Sequence, residues 1–479
     1  MDKKIAKNYL YNLTYQLLTV ITPIITTPYI SRVLGAEAIG ENGFTLSIVQ
    51  YFILIGTLGI PFYASREVAY NRDDKKKLSK TFFEIFILQF VLTITLYTFM
   101  IFMFFNLEVF YKYREILVIQ SLYMLSSAID ISWLLTGTEN FKKTAKRNIM
   151  VKLLSVIAIF IFVKSKSDLW KYAMIGSFST LIGQLTLWRN IFQIISFKYI
   201  KNLKITKHIK PCILLFIPQI AVSIYTILDR VMIGIFSSVI EVGYYDQSQK
   251  IVKLALTFVT TFGTIMLPRI ANMYSKGDNN TLKKYIEDSF EILMMLSIPL
   301  MFGLLAIADN FVYWFLGTQF LAVSKLIKIV SPIIVIISCS NVLGLQYLIP
   351  TGRNKEFTIS ITIGAIVNLL INLTLISDLG ALGASIGTLL AELSVNLVII
   401  YFIKKDFNIL FLLKRIKKYF ISGLAMYLII LLFNSFFKLK SDILATFVEI
   451  IIGVFSYFLI LLFILKDKNI KELTMKLKN

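Results

Sequence analysis

GAEAIGENGFTLSIVQYFILIGTLGIPFYASREVAYNRDD, residues 35–74, holds the plan of the whole chain in one segment. A glycine-bearing turn (35–44) leads into an apolar stretch (41–63), which closes on a charged segment that begins at Arg66. A helix needs about 20 mostly apolar residues to cross a bilayer core ~30 Å thick, and this stretch is long enough. The same phrases return. SSVIEVGYYD (237–246) opens a second apolar stretch that closes on LPRIANMYSKGDNN (267–280), as the first closes on IPFYASREVAYNRDD (60–74). Aligning Gly40 with Gly243 gives a shift of 203, and aligning Pro61 with Pro268 gives 207. A third pair, LLTGTENFKKT (134–144) and LIPTGRNKEFT (348–358), aligns Gly137 with Gly352 at a shift of 215.

Working outward, fourteen stretches are long and apolar enough to span: 9–31, 41–63, 82–105, 115–136, 149–164, 169–193, 212–236, 246–268, 289–308, 325–349, 357–377, 381–403, 419–437 and 442–465. The chain of 479 residues is 57% hydrophobic with mean hydropathy +0.74. Soluble proteins hold about 45–50% apolar residues, so a soluble fold is excluded. A net charge of +22 would suggest nucleic acid in a soluble protein. Here it sorts by loop. One set of alternating connections carries 36 of the 50 basic residues and the other carries 10. Lysine and arginine concentrate on the cytoplasmic side, so no nucleic-acid partner is expected, and both termini are expected in the cytoplasm. The first apolar run is long enough to span and has no small-residue cleavage site after it, so it is expected to be retained. Cys212 and Cys339 form no disulfide framework or zinc motif.

The expected fold is therefore all-α and integral to the membrane: fourteen transmembrane helices, two pseudo-symmetric six-helix lobes and two extra C-terminal helices. The repeat shifts by six spans, which preserves orientation. It places one lobe in residues 1–210, a second in 211–405, and the two additional helices with a cytoplasmic tail in 406–479. Two such lobes around a central substrate site are a recurrent transporter plan.

Ionisable and polar groups inside spans are costly and mark a cavity or pathway by default. Asn8, Asn12, Gln16, Thr19, Pro23 and Thr26 recur at helical spacing and make one polar stripe on the first span. That stripe either lines a wet cavity or hydrogen-bonds to other helices. Pro23 and Pro28 are expected to kink the helix. Arg32 and Arg66 stand at opposite ends of the first hairpin. Asp130 lies mid-span in SSAIDISWLLTG, and Asp229 and Arg230 are adjacent in the seventh span. Asp246, Lys250 and Lys253 fall at i, i+4 and i+7 on the eighth. Asn368 and Asn372 share a face of the eleventh span, as Glu392 and Asn396 do on the twelfth. The basic set favours a cationic cavity that would concentrate an anionic substrate. The acidic residues suit structural ion pairs or ion coupling equally.

No GxxxxGK[ST] loop is present, so no P-loop ATPase domain is expected. HExxH, CxxC and GxSxG are also missing, and no metal, cofactor or enzymatic activity is expected.

With these residues in view the chain resembles the polysaccharide transporter family of oligosaccharide flippases, the Wzx-like branch of the multidrug/oligosaccharidyl-lipid/polysaccharide exporter superfamily. The phrases that carry the resemblance are TPYISRVLGAEAIGENGF, GIPFYASREVA, AIDISWLLTGTENFKK, ILDRVMIGIFSS, VGYYDQSQKIVK, MLPRIANMYSKGD and YLIPTGRNKEFT. The resemblance implies alternating access between two lobes. It implies movement of an undecaprenyl-pyrophosphate-linked oligosaccharide from the inner to the outer leaflet of a bacterial cytoplasmic membrane, for capsule, exopolysaccharide or O-antigen synthesis. It implies membrane lipids as surroundings, with a polysaccharide polymerase and a chain-length regulator as candidate partners. Carried onto this sequence, it makes Arg32, Arg66, Arg230, Lys250 and Lys253 candidates for the pyrophosphate or acidic sugars. It makes Asp130, Asp229, Asp246 and Glu392 candidates for tuning or ion coupling, and Asn12, Gln16, Asn368 and Asn372 candidates for lining the cavity. A flippase for teichoic, teichuronic or peptidoglycan precursors and a multidrug/cation antiporter of the same superfamily are the alternatives. An integral-membrane sugar polymerase is a more distant one.

Overall fold

A computed structural model describes residues 3–189, 191–437 and 439–465; it describes no side chains at 3–16, 141–143, 217–219 and some positions in 221–279. Among the described residues there is no strand, and each of the fourteen expected spans falls mostly on helix. Nine helical stretches among them meet a strict length and hydropathy criterion for crossing a bilayer. The first of these, Leu17–Asn71, is 55 residues long and contains the first hairpin.

That hairpin turns at Gly35. The helix Lys3–Thr57 has helical backbone throughout except Gly35, at φ 78° and ψ 177°, a conformation that costs glycine little because it lacks Cβ. Pro23 and Pro28 lie inside the helix without breaking it, so the discontinuity falls at the glycine and not at either proline. The Pro28 carbonyl is shared by two side chains of the next turn: the hydroxyl of Ser31 and Nη1 of Arg32 both donate to it, at 3.1 and 3.2 Å.

Contacts divide the chain into two units, Met1–Gly243 and Tyr244–Asn479. The helix Ile209–Phe236, with which the second sequence copy begins, packs against Lys3–Thr57 and Ile60–Asn71 in the first unit. The contact boundary thus falls beyond the 210/211 boundary that the repeat suggests.

The first unit packs Lys3–Thr57 against Lys75–Asn106, Arg114–Ala128 and Phe141–Phe162. Its core includes Phe82, Ile85, Trp133, Leu134 and Ile191. In the second unit Asn354–Leu379 lies along Ala381–Ile403, and Asn279–Leu316 carries both Ile409–Phe436 and Asp442–Leu459. The two helices outside the repeat are therefore bonded to the ninth span. Oε1 of Glu291, almost wholly buried, accepts from Lys418 Nζ at 2.6 Å and from the Tyr419 hydroxyl at 3.0 Å, and Arg415 Nη2 lies 2.6 Å from Oε2.

The second expected span is interrupted at Leu58–Gly59, and the fourth and tenth, which are counterparts in the repeat, are interrupted as well. In the fourth span, helices Arg114–Ala128 and Ser132–Gly137 are separated at 129–131. The tenth is divided into Ala322–Val330, Ile333–Ser340 and a π-helix, Asn341–Leu348. Extended π-helix is rare and often accompanies function.

Candidate functional site

The break in the fourth span is closed by side chains from other helices. Gln89 Nε2 donates to the carbonyls of Ser127 and Asp130, at 2.7 and 3.0 Å. Its Oε1 accepts from Trp133 Nε1 at 3.0 Å, and Trp188 Nε1 donates to the Ile129 carbonyl at 2.9 Å. Asp130 Oδ1 accepts from the Ser132 amide at 2.7 Å. Asp130 thus caps the helix that restarts after it, a local role open to a short carboxylate. In the second copy, the Ser289 hydroxyl donates to Gln346 Oε1 at 2.8 Å inside the π-helix, and Gln346 Nε2 donates to Asn341 Oδ1 at 2.9 Å.

The charged residues singled out in the sequence fall into separate sets, one in each unit. In the first unit, Asp229 is completely buried and acts electrostatically on the hydroxyl of Tyr51. Arg230 is half-buried and donates Nη1 to the Thr226 carbonyl at 3.0 Å. Arg32 is exposed, three residues before Gly35. Arg66 is exposed on the helix Ile60–Asn71, 3.9 Å from Glu67, with its guanidinium 5.8 Å from the centre of the Tyr63 ring. In the second unit, Asp246 and Lys250 are half-buried and Lys253 is exposed, all on the helix Val239–Ser275. Lys253 acts electrostatically on the half-buried Glu392 of Ala381–Ile403.

Asn368 and Asn372 are both fully buried. Asn372 Nδ2 donates to Asn368 Oδ1 at 3.2 Å, and the pair lies against Gly387 on the neighbouring helix. Asn396, one turn from Glu392, donates Nδ2 to the Ile336 carbonyl and to Ser340 Oγ, each at 2.7 Å. Asn12 and Gln16 lie outside the described residues.

Three buried glutamates were not singled out in the sequence. Glu84, at the start of the third span, gathers the loop that leads to Ile209–Phe236. Its Oε1 accepts from the Lys204 amide at 2.8 Å, and its Oε2 lies 2.6 Å from Lys207 Nζ and 3.0 Å from His208 Nε2. His208 Nδ1 is 2.6 Å from the Tyr63 hydroxyl. Glu291 and Glu449 hold the two C-terminal helices. Each lies within one of the expected spans, where the cost of a charge would have marked all three.

The arrangement combines apolar exteriors with cationic groups on membrane helices. Such groups can bind anions electrostatically and supply hydrogen-bond donors.

Residues 5–274 match the model of the polysaccharide biosynthesis protein family. A protein of Escherichia coli (strain K12) named as a candidate O-antigen transporter is 23% identical over 409 residues, covering 84% of this chain and 97% of that one. A lipid II flippase, MurJ of Bacillus subtilis (strain 168), is 24% identical over 149 residues, covering 30% of this chain and 27% of that one. Among solved structures, the inward closed conformation of lipid II flippase MurJ has a TM-score of 0.76 at 15% identity, covering 96% of this chain and 99% of that one. An inward-facing multidrug resistance MATE family transporter of the MOP superfamily has a TM-score of 0.63 at 12% identity, covering 82% and 94%. At these identities the structural likeness is one of fold.

Proposed function

Since the chain belongs to the polysaccharide biosynthesis protein family, we propose that it is a flippase for a lipid-linked oligosaccharide. It moves an undecaprenyl-pyrophosphate-linked repeat unit from the inner to the outer leaflet by alternating access, without ATP hydrolysis. The observation that carries this reading is the set of basic side chains on membrane helices: Arg32, Arg230, Lys250 and Lys253, each half-buried or exposed. A lysine or arginine in a span is tolerated where it meets water or a partner, and a sugar-pyrophosphate head is an anionic partner of the right chemistry.

The barrier to flipping is the desolvation of the polar head in hydrocarbon. A wet, cationic route lowers that barrier, while the polyprenyl tail stays in lipid. An inside-negative potential favours outward movement of an anion. At ~2.3 kcal/mol per charge per 100 mV, a head with about two charges gains ~5 kcal/mol. Arg66 would meet the substrate at one end of the first hairpin, with Asp229, Asp246 and Glu392 tuning the field of the basic groups. A polysaccharide polymerase and a chain-length regulator are the candidate partners in this role.

The test is leaflet exchange in liposomes. Purified protein is supplied with a fluorescent undecaprenyl-pyrophosphate oligosaccharide, and exchange is followed with an impermeant quencher, with and without an inside-negative potential. Exchange that depends on the protein, rises with the potential and is lost in Arg230→Ala and Lys250→Ala supports the reading. Uptake of small organic cations, without exchange of any sugar-lipid, overturns it.

A further inference from the structure

A groove of about 480 Å³ lies wholly within the second unit. It runs between the helices Val239–Ser275, Asn279–Leu316, Ile409–Phe436 and Asp442–Leu459. Its volume is in the range of small-molecule pockets, roughly 300–1,000 Å³. Leu300, Met426 and Val454 are typical of its walls. The Tyr457 hydroxyl is already committed to the Met295 carbonyl, at 2.9 Å. At Gly303 a Cβ would meet nothing within 4 Å, so the wall is open there.

Glu449 is the only ionisable side chain with a carboxylate or a basic group in this lining, and it is fully buried. Its Oε1 accepts from Asn310 Nδ2 at 2.6 Å and Asn434 Nδ2 at 2.7 Å. Those two amides fix the plane of the carboxylate. Its Oε2 is buried and has no hydrogen-bond partner among the described residues. An unmatched buried acceptor is costly, and more so when it is charged, so this oxygen calls for a donor. Asp309 adds a second negative charge that acts on Glu449. Lys328 Nζ, 2.6 Å from Asp309 Oδ2, is committed to that residue.

We propose that the groove is a lipid site for an acyl-chain amphiphile with a primary ammonium head, the ammonium donating to Glu449 Oε2 and the chain lying along Leu300, Gly303, Met426 and Val454. An ammonium brings both the missing N–H donor and the matching charge. A quaternary ammonium brings the charge without the donor, and a hydroxyl brings the donor without the charge. The site uses none of the basic residues assigned to sugar-lipid transport and stands independently of that assignment.

Native mass spectrometry of the full-length protein tests it, with phosphatidylethanolamine, phosphatidylcholine and phosphatidylglycerol of identical acyl chains as probes. The ethanolamine lipid is expected to be retained roughly tenfold more than either of the others, the factor of one charge-assisted hydrogen bond. Glu449→Gln is expected to abolish that preference. Gly303→Leu, which fills the groove and leaves Glu449 intact, is expected to abolish it as well. Both variants are compared with the parent by size-exclusion elution. Equal retention of the three lipids, or a preference that survives in either variant, overturns the proposal.

Discussion

Gly40 and Gly243, which the repeat aligns with each other, also pack against each other. A Cβ on Gly40 would collide with the Val239 carbonyl oxygen and lie 2.8 Å from the Gly243 amide nitrogen; one on Gly243 would collide with the Ala36 carbonyl oxygen and lie 3.2 Å from the Gly40 amide nitrogen. The shift that aligns the glycines also aligns Ala36 with Val239. Each residue of one turn therefore meets the counterpart of its own neighbour, the reciprocity of a two-fold contact. Both sides of the contact are backbone, which cannot move aside as a side chain can. Gly40→Val and Gly243→Ala are expected to lower stability by about 1–3 kcal/mol or more through overpacking. Fluorescence-detected thermal unfolding in detergent reads the loss. A parent-like midpoint for Gly40→Val would mean that the turns separate in the working protein.

Gln89 bridges the interrupted fourth span through three hydrogen bonds. Gln89→Leu keeps the volume and removes all three, leaving buried carbonyls and the Trp133 N–H unmatched at about 1–3 kcal/mol each. Asp130→Ala removes one cap, worth about 1 kcal/mol, and Asp130→Asn keeps it. Thermal midpoints should fall in the order parent, Asp130→Asn, Asp130→Ala, Gln89→Leu. A larger loss of transport in Asp130→Asn than in Asp130→Ala would show that the charge, and not the cap, matters there.

The fourteen spans were legible because hydropathy is a local sum, and the repeat was legible because duplicated turns keep their phrases. The interruptions were not. Asp130 and the stretch Asn341–Leu348 are embedded in apolar residues, and an average over twenty positions passes over three that leave the helix. Gly35 was visible as part of a turn, but not as the one residue of Lys3–Thr57 whose backbone leaves the helical region. Of the candidate site, the charged residues were legible one at a time. Their partners were not, since Glu84 meets His208 across 124 positions and Tyr63 meets it across 145. Pairing at such separations is a property of the packed chain. The placement of Ile209–Phe236 with the first unit has the same origin, because a repeat records ancestry and contacts record packing.

His208 lies just before the seventh span, and burial pushes its imidazole below the ordinary value of 6.5; the Glu84 hydrogen bond opposes that shift and Lys207 adds to it. The folded state therefore binds this proton less readily than the unfolded state does. Stability should rise with pH across the window between the depressed value and about 6.5, and fall as pH drops through it. His208→Gln, which cannot take up the proton, should flatten that dependence. Thermal midpoints between pH 5 and pH 8 decide it. A parent whose midpoint is constant over that range, or a His208→Gln variant with the same slope, would show that the imidazole does not set the response.

Lys253 and Glu392 belong to different helices of the second unit and interact electrostatically. If the pair works as a unit, removing one charge exposes the other to the low-dielectric interior, and removing both relieves it. Lys253→Met and Glu392→Gln should each reduce flipping in the liposome assay by more than expected from the double variant. The coupling should lie in the range of about 0.5–3 kcal/mol seen for residues in one network. The sign separates two roles. A double variant that recovers most of the parental rate assigns the pair to holding the helices in register. A double variant as inactive as Lys253→Met, with Glu392→Gln close to the parent, assigns Lys253 to the anionic substrate and leaves Glu392 to tune it. Strictly additive losses would mean that the two side chains act independently.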